Sequence, residues 1–198
     1  MSAARKPAGL NFGHPPETLR FWKRLVREAL RISGSTPLYV FSAQPVAERI
    51  AHLDAAFAAV GFHSALRTPR SAFPLVRHWL SCKTQPIPPL LRWWRERGGN
   101  IEVVSEFELR AALTEGFTPN RILINGPAKH HWLPQLPLRG LSVNFDSIAE
   151  LNALLPLAKK LKWRVGLRNC TSQEFDPENP KLPTQFGFTP NEAKAAMQ

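Results

Sequence analysis

A lysine closes a long, largely apolar stretch, Phe73-Pro74-Leu75-Val76-Arg77-His78-Trp79-Leu80-Ser81-Cys82-Lys83, and Thr84-Gln85-Pro86 follows at once. A strand, a Pro-containing turn and then a helix read as a βα unit. In α/β folds the chemistry gathers at the C-terminal ends of the strands. A lysine placed there is a candidate Schiff-base amine. It can equally be a strand-end lysine that points into water, and position alone favours that bland reading. Later apolar runs end in Ser105, Asn125-Gly126, Asp146-Ser147 and Arg168-Asn169. Polar groups at the ends of successive apolar strands suit the mouth of a barrel.

Other constellations have simpler readings. Adjacent His130 and His131 project differently and lack a third ligand at a recognisable spacing, so no metal site is expected. Alternation puts Cys82 on the opposite face of the strand from Lys83, as a small buried residue rather than a nucleophile. Trp93-Trp94 suits a helix packed on a sheet. Lys159-Lys160-Leu161-Lys162 ends a helix, where cations complement the dipole. No Ser/His/Asp arrangement, HExxH or phosphate loop is present.

The elements that must position these groups follow a rhythm. Residues 17–32 form an amphipathic helix: Leu19, Trp22, Val26 and Leu30 recur at helical spacing, and Arg20, Lys23, Arg24, Arg27 and Arg31 lie mostly opposite. Such a helix can lie on a membrane surface, but more often docks its apolar face on its own protein. Pro37 to Ser42 reads as a short strand, and Val46 to Val60 as an Ala-rich helix ended by Gly61. After the stretch ending at Lys83, a helix runs through Leu90, Leu91, Trp93 and Trp94 to Gly98-Gly99. Strands are expected at residues 101–104, 121–124, 141–145 and 163–167, with helices at 106–114 and 146–161 and another from Pro190. Asp146 or Ser147 is the expected N-cap. Strands about every 20 residues with helices between them indicate a parallel sheet.

That count gives roughly five parallel βα units, where a closed (β/α)₈ barrel needs eight. Five strands leave two raw apolar edges, so a partial TIM-type barrel from the front of a longer protein is expected. A complete five-stranded doubly wound sheet is the alternative, weakened by the lack of a Gly-rich loop after the first strand.

The chain has 198 residues, 43% of them hydrophobic, enough for one domain with a true core. Its formal net charge is +11. Residues 1–35 carry seven basic against two acidic side chains, and residues 100–198 eleven against ten. No nucleic-acid motif accompanies this basic N-terminus, so no nucleic-acid partner is expected. No apolar run approaches the ~18 residues of a membrane span, and no secretory signal is evident. With Cys82 and Cys170 as the only cysteines, a reducing cytoplasm is the expected setting.

Seven segments, in order, resemble the fold-type III pyridoxal-phosphate decarboxylases, the ornithine/diaminopimelate/arginine decarboxylase family. Thr36-Pro37-Leu38-Tyr39-Val40 resembles "TPLYVYD", and Cys82-Lys83-Thr84-Gln85-Pro86 resembles "VKANP". Val103-Val104-Ser105-Glu106-Phe107-Glu108-Leu109 is similar to "VVSGGEL". Gly116-Phe117 with Arg121-Ile122-Leu123-Ile124-Asn125-Gly126-Pro127-Ala128-Lys129 is similar to "GF…RIIFNGPGK". Val143-Asn144-Phe145-Asp146-Ser147 and Glu150-Leu151 resemble "VDS..EL". Val165-Gly166-Leu167-Arg168-Asn169 resembles "VGLRVN", and Gln185-Phe186-Gly187-Phe188 resembles "KFGI".

The resemblance implies that Lys83 forms the internal aldimine with pyridoxal 5'-phosphate. It implies that Glu102, one methylene longer than the family's usual Asp, and Arg168 lie near the cofactor, with Glu108 a positioning residue. Glu106-Phe107 departs from the family's Gly-Gly, Gln85 from its Asn, and the stretch from Gly61 to Phe73 is longer than usual. The family's "HxGS" strand, Gly-rich phosphate loop, "EPGR" segment and C-terminal β-domain are expected beyond residue 198. The implied organisation is a basic extension over residues 1–35 and the front of a cofactor-binding barrel over 36–198, with 36–43 an opening strand. The implied activity is amino-acid decarboxylation by the full-length homodimer, of diaminopimelate in lysine biosynthesis first and of ornithine or arginine second. A truncated, non-catalytic fragment or regulatory relative is the alternative, and the 198 residues alone are expected to be inactive.

Overall fold

The computed structural model describes residues 16–34, 40–61, 63–64, 75–170, 175–176, 179–183 and 186–197. The chain forms two compact units, Met1–Ser42 and Ala43–Gln198. In the first, α1 (Pro16–Ser33) follows the expected amphipathic pattern, and none of its residues is buried. The opening strand expected from Pro37 lies partly outside the described residues. Residues 40–42 have no regular secondary structure.

The second unit opens with α2 (Ala43–Ala59) and a parallel pair of two-residue strands, β1 (His63–Ser64) and β2 (Leu75–Val76). The sheet that matters is built from β3 (Trp79–Ser81), β4 (Asn100–Val103), β5 (Ile122–Ile124), β6 (Ser142–Phe145) and β7 (Arg164–Leu167). All five strands are parallel and lie in chain order, β3-β4-β5-β6-β7. Connecting segments carry α3 (Pro88–Glu96), α4 (Glu106–Thr114) and α5 (Ile148–Leu161). An antiparallel hairpin, β8 (Phe175–Asp176) with β9 (Asn179–Pro183), and α6 (Pro190–Ala196) follow. This is an open part of a (β/α) barrel, as the strand count anticipated.

Alternation divides the sheet chemically. Ile101, Val103, Ile122, Ile124, Val143 and Phe145 are all fully buried and share one core with Leu91, Trp94, Leu109 and Leu154 of the helices. Burial of such side chains stabilises a domain by ~1.5–3 kcal/mol each. The opposite face carries an in-register row, Ser81, Glu102, Leu123, Ser142 and Arg164, of which all but exposed Arg164 are half-buried. A polar row on one face of apolar strands fits the inner wall of a barrel better than a second core.

The strand expected over residues 73–83 is not one element. Pairing with β4 ends at Ser81, and Cys82–Thr84 wind into a single 3₁₀ turn. Thr84 Oγ1 donates to Ser81 O at 2.7 Å and closes that turn. The Lys83 side chain therefore leaves from a turn past the strand end, and it is exposed.

Beyond β7 the sheet continues by one bridge. Asn169 pairs in parallel with Phe188, through Phe188 N to Arg168 O at 2.7 Å and Cys170 N to Phe188 O at 2.8 Å. Gly187 makes this contact possible. Its φ is +97°, and a Cβ there would meet Cys170 N at 2.8 Å and Arg168 O at 2.9 Å. Gly140 has φ +77° with nothing within 4 Å of the corresponding position. Gly140→Ala should therefore cost only the backbone penalty of ~1–2 kcal/mol. Gly187→Ala should cost clearly more, because the backbone of residues 168–170 has to move. Chemical denaturation of the two variants checks the order, and equal losses would mean that the close approach is unimportant.

Candidate active site at the strand ends

At three successive helix starts the same local device recurs. Ser105 is the N-cap of α4, and its Oγ accepts from Glu108 N at 3.3 Å. Glu108 Oε2 in turn accepts from Val104 N at 2.9 Å. Ser147, one of the two expected N-caps, accepts from Glu150 N at 3.2 Å, and Glu150 Oε2 accepts from Asp146 N at 3.1 Å. Thr189 and Glu192 form a full capping box on α6. Ser/Thr-x-x-Glu satisfies orphan N–H groups of a helix start, and in α4 and α5 the glutamate also ties the helix to the end of the strand before it. The strand ends are held in one layer as a result.

That layer gathers the polar groups read from the sequence. Lys83 stands on its turn past β3. Glu102 follows Ser81 across the inner face, one strand along. Asn125 prolongs the ladder of β5, its N–H donating to Val103 O at 2.8 Å. Beyond the register pair Phe145–Leu167, Asp146 and Arg168 come next on the same face, and Arg168 N donates to Phe145 O at 3.0 Å. The guanidinium of Arg168 stacks over the Phe186 ring at 4.8 Å, with Nη1 3.6 Å from Asp146 Oδ1. Ser81 Oγ and Asn125 Oδ1 are buried without a hydrogen-bond partner among the described residues.

Cys82 is buried beside this wall, as expected, although it opens the 3₁₀ turn and is not part of the alternating strand. Burial first, then the charges of Glu108 and Glu102, push its thiol up to about 11. At neutral pH it is a protonated core residue, not a nucleophile. Glu106-Phe107 falls on the outer side of the first turn of α4, where Phe107 is 74% exposed and Glu106 pairs with Arg110 at 2.7 Å. His130 and His131 lie on a 3₁₀ turn with ring centroids 4.0 Å apart. No group of three metal-ligating side chains occurs among the described residues.

The sequence reading passed over the strongest electrostatic feature of the layer. Lys129 is completely buried. Its ammonium donates to Gly126 O and pairs with Asp146 Oδ2 at 3.1 Å and Glu150 Oε2 at 2.8 Å. Its backbone N–H donates to Glu150 Oε1 at 2.8 Å. The lysine folds back because Gly126 (φ +80°) and Ala128 (φ +60°) both adopt left-handed backbone conformations. The spacing Gly-Pro-x-Lys followed by Asp-Ser-x-x-Glu was visible, but nothing in one sequence says that the two meet.

Residues 61–198 match the family model described as pyridoxal-dependent decarboxylase, pyridoxal binding domain. The chain belongs to this family. Diaminopimelate decarboxylases stand among its relatives. The diaminopimelate decarboxylase of Zymomonas mobilis is 26% identical over 171 residues, covering 82% of this chain and 38% of the relative. That of Methanothermobacter thermautotrophicus is 29% identical over 135 residues, covering 66% and 29%. The chain thus spans about a third of the length of these curated relatives. Solved structures share the fold. The biosynthetic arginine decarboxylase of Campylobacter jejuni aligns at TM-score 0.63 and 18% identity, covering 88% of this chain and 29% of that one. A diaminopimelate decarboxylase from M. jannaschi aligns at TM-score 0.58 and 20% identity, covering 88% and 41%.

The residues present suit the family's cofactor. An exposed amine stands at a strand end, next to an inner wall bearing Glu102 and two buried polar atoms that lack partners among the described residues.

Two outcomes follow. Lys129→Met leaves Asp146 and Glu150 without their buried counter-charge, and should lower unfolding free energy by about 3–5 kcal/mol in denaturant melts. A loss within ~1 kcal/mol, of surface-pair size, would mean that the cluster is solvated. Under native conditions iodoacetamide should modify half-buried Cys170 well before Cys82, mapped by peptide mass; the reverse order would contradict the burial and raised pKa of Cys82.

Proposed function

We propose that the full-length protein is a pyridoxal-phosphate-dependent amino-acid decarboxylase acting on diaminopimelate, with Lys83 as the residue that carries the cofactor. The observation that supports this most is the placement of Lys83. It is an exposed amine on a turn fixed by Thr84, at the end of a strand whose inner-face neighbour is Glu102. The choice of diaminopimelate rests on the relatives' names and on motif wording; ornithine and arginine are second. A reducing cytoplasm is proposed as the setting, because Cys82 and Cys170 are the only cysteines of the sequence. No helix among the described residues is long and apolar enough to cross a membrane. A homodimer is proposed from the family resemblance.

Bound pyridoxal phosphate supplies an electron sink for the charge left when a carboxylate departs as CO₂. The chain's own residues bind and orient. The Lys83 amine would hold the cofactor covalently, and its Nζ would take up and return a proton beside it. Glu102 offers a carboxylate along the wall, and Arg168 offers a fixed cation at the rim. The helix-covered face of β4, β5 and β6 excludes water from behind the site, because its side chains are fully buried.

In the full-length protein, added pyridoxal phosphate should give a visible absorbance band that Lys83→Ala abolishes while the far-ultraviolet circular dichroism stays unchanged. An unchanged band in Lys83→Ala would sink the assignment. Diaminopimelate should be turned over in preference to ornithine and arginine; a reversed preference would move the protein to another branch.

A further inference from the structure

The buried cluster is not used up by holding the fold together. Three of its members are sealed: the side chains of Lys129, Glu150 and Asp146 are 0%, 2% and 4% exposed. The fourth, Arg168, is 32% exposed and alone reaches the rim. Lys129 engages one oxygen of Asp146, Oδ2. The other, Oδ1, is buried and has no hydrogen-bond partner among the described residues. It faces Arg168 Nη1 at 3.6 Å. An orphaned carboxylate oxygen in a buried site is costly, so its retention calls for a task.

We infer that Asp146 is a positioning residue for Arg168, clamped by Lys129 and Glu150 so that the guanidinium presents its remaining donors to an anionic oxygen of the bound cofactor or substrate. An exposed arginine has many rotamers, and ordering them at binding weakens affinity. Here the ordering is done in advance. Phe186 covers one face of the guanidinium, and Asp146 Oδ1 holds Nη1 at ion-pair distance. Lys129 holds the Asp146 carboxylate, and Glu150 holds both the Lys129 ammonium and the Asp146 backbone N–H. The planar fork is left with a free edge among the described residues, the geometry that recognises carboxylate and phosphate oxygens. The two carboxylates and two cations balance, so presenting Arg168 to an anion does not leave a net buried charge behind it.

This inference rests on the proposed cofactor site, and its test separates the two. In the full-length protein, pyridoxal phosphate affinity is titrated by absorbance. Diaminopimelate affinity is then titrated on the loaded protein by its spectral change. Asp146→Asn, Arg168→Lys and the double variant form the cycle. Asp146→Glu is added because it keeps the charge that Lys129 requires while shifting the carboxylate off its line to Nη1. Each single variant should weaken one of the two affinities by roughly tenfold. A loss for pyridoxal phosphate assigns the anion to the cofactor, and a loss for diaminopimelate alone assigns it to the substrate. The double variant should be no weaker than the worse single one. Additive losses would overturn the inference, as would an Asp146 variant that lowers stability with both affinities intact. No effect of Arg168→Lys on either ligand would overturn it while leaving Lys83 as the cofactor residue. A wild-type protein that takes up no pyridoxal phosphate would overturn both.

Discussion

The strand-end layer depends on one carboxylate. Glu150 accepts the backbone N–H of Lys129 with one oxygen, and the backbone N–H of Asp146 and the Lys129 ammonium with the other. It thereby ties together the loop after β5, the end of β6 and the start of α5. Two backbone N–H groups and the Lys129 ammonium are satisfied at a single point. Glu108 performs the simpler version of this task one unit earlier, bonding the end of β4 to the start of α4. A (β/α) scaffold can vary its loops only if its strand ends keep their positions, and these glutamates hold them.

The opposite rim of the sheet is built for a different purpose. Arg121 donates from Nε to Gly99 O at 3.1 Å and from Nη2 to Arg95 O at 3.0 Å, and Arg95 donates to Glu115 O at 2.8 Å. These guanidinium groups cap helix ends and turns. Burial, then the nearby charge of Arg95, lowers the Arg121 pKa. No orphaned buried side-chain atom is found at this rim among the described residues. Unpartnered polar atoms concentrate instead on the wall that carries Ser81, Asn125 and Asp146, where a ligand would supply what the protein withholds. Guanidinium ties thus gather at one end of the strands, and buried atoms without partners among the described residues at the other.

Most of the fold was legible because its signals are local. The βα rhythm, the N-cap serines and the apolar alternation each live within a few residues, and α4 forms over residues 106–114 as read. The strand toward Lys83 was misjudged in length because Ser81-Cys82-Lys83-Thr84 keeps an extended-looking pattern. Only the pairing with β4 and the Thr84 hydroxyl reveal where the ladder stops. The Lys129 cluster was illegible for another reason. A lysine in a polar loop reads as solvated, and its burial follows from two left-handed residues and from acids 17 and 21 positions away. Lys83, Glu102 and Arg168 all fall in the strand-end layer, and among the described residues Arg168 contacts Asp146 and Phe186 there.

The central claim is that Lys83, and no other lysine, holds the cofactor. Borohydride reduction of the full-length protein loaded with pyridoxal phosphate, followed by peptide mapping, tests it most directly. The expected result is a single phosphopyridoxyl mass increment on the peptide containing Lys83. An increment on a different lysine, or none at all, would contradict the account.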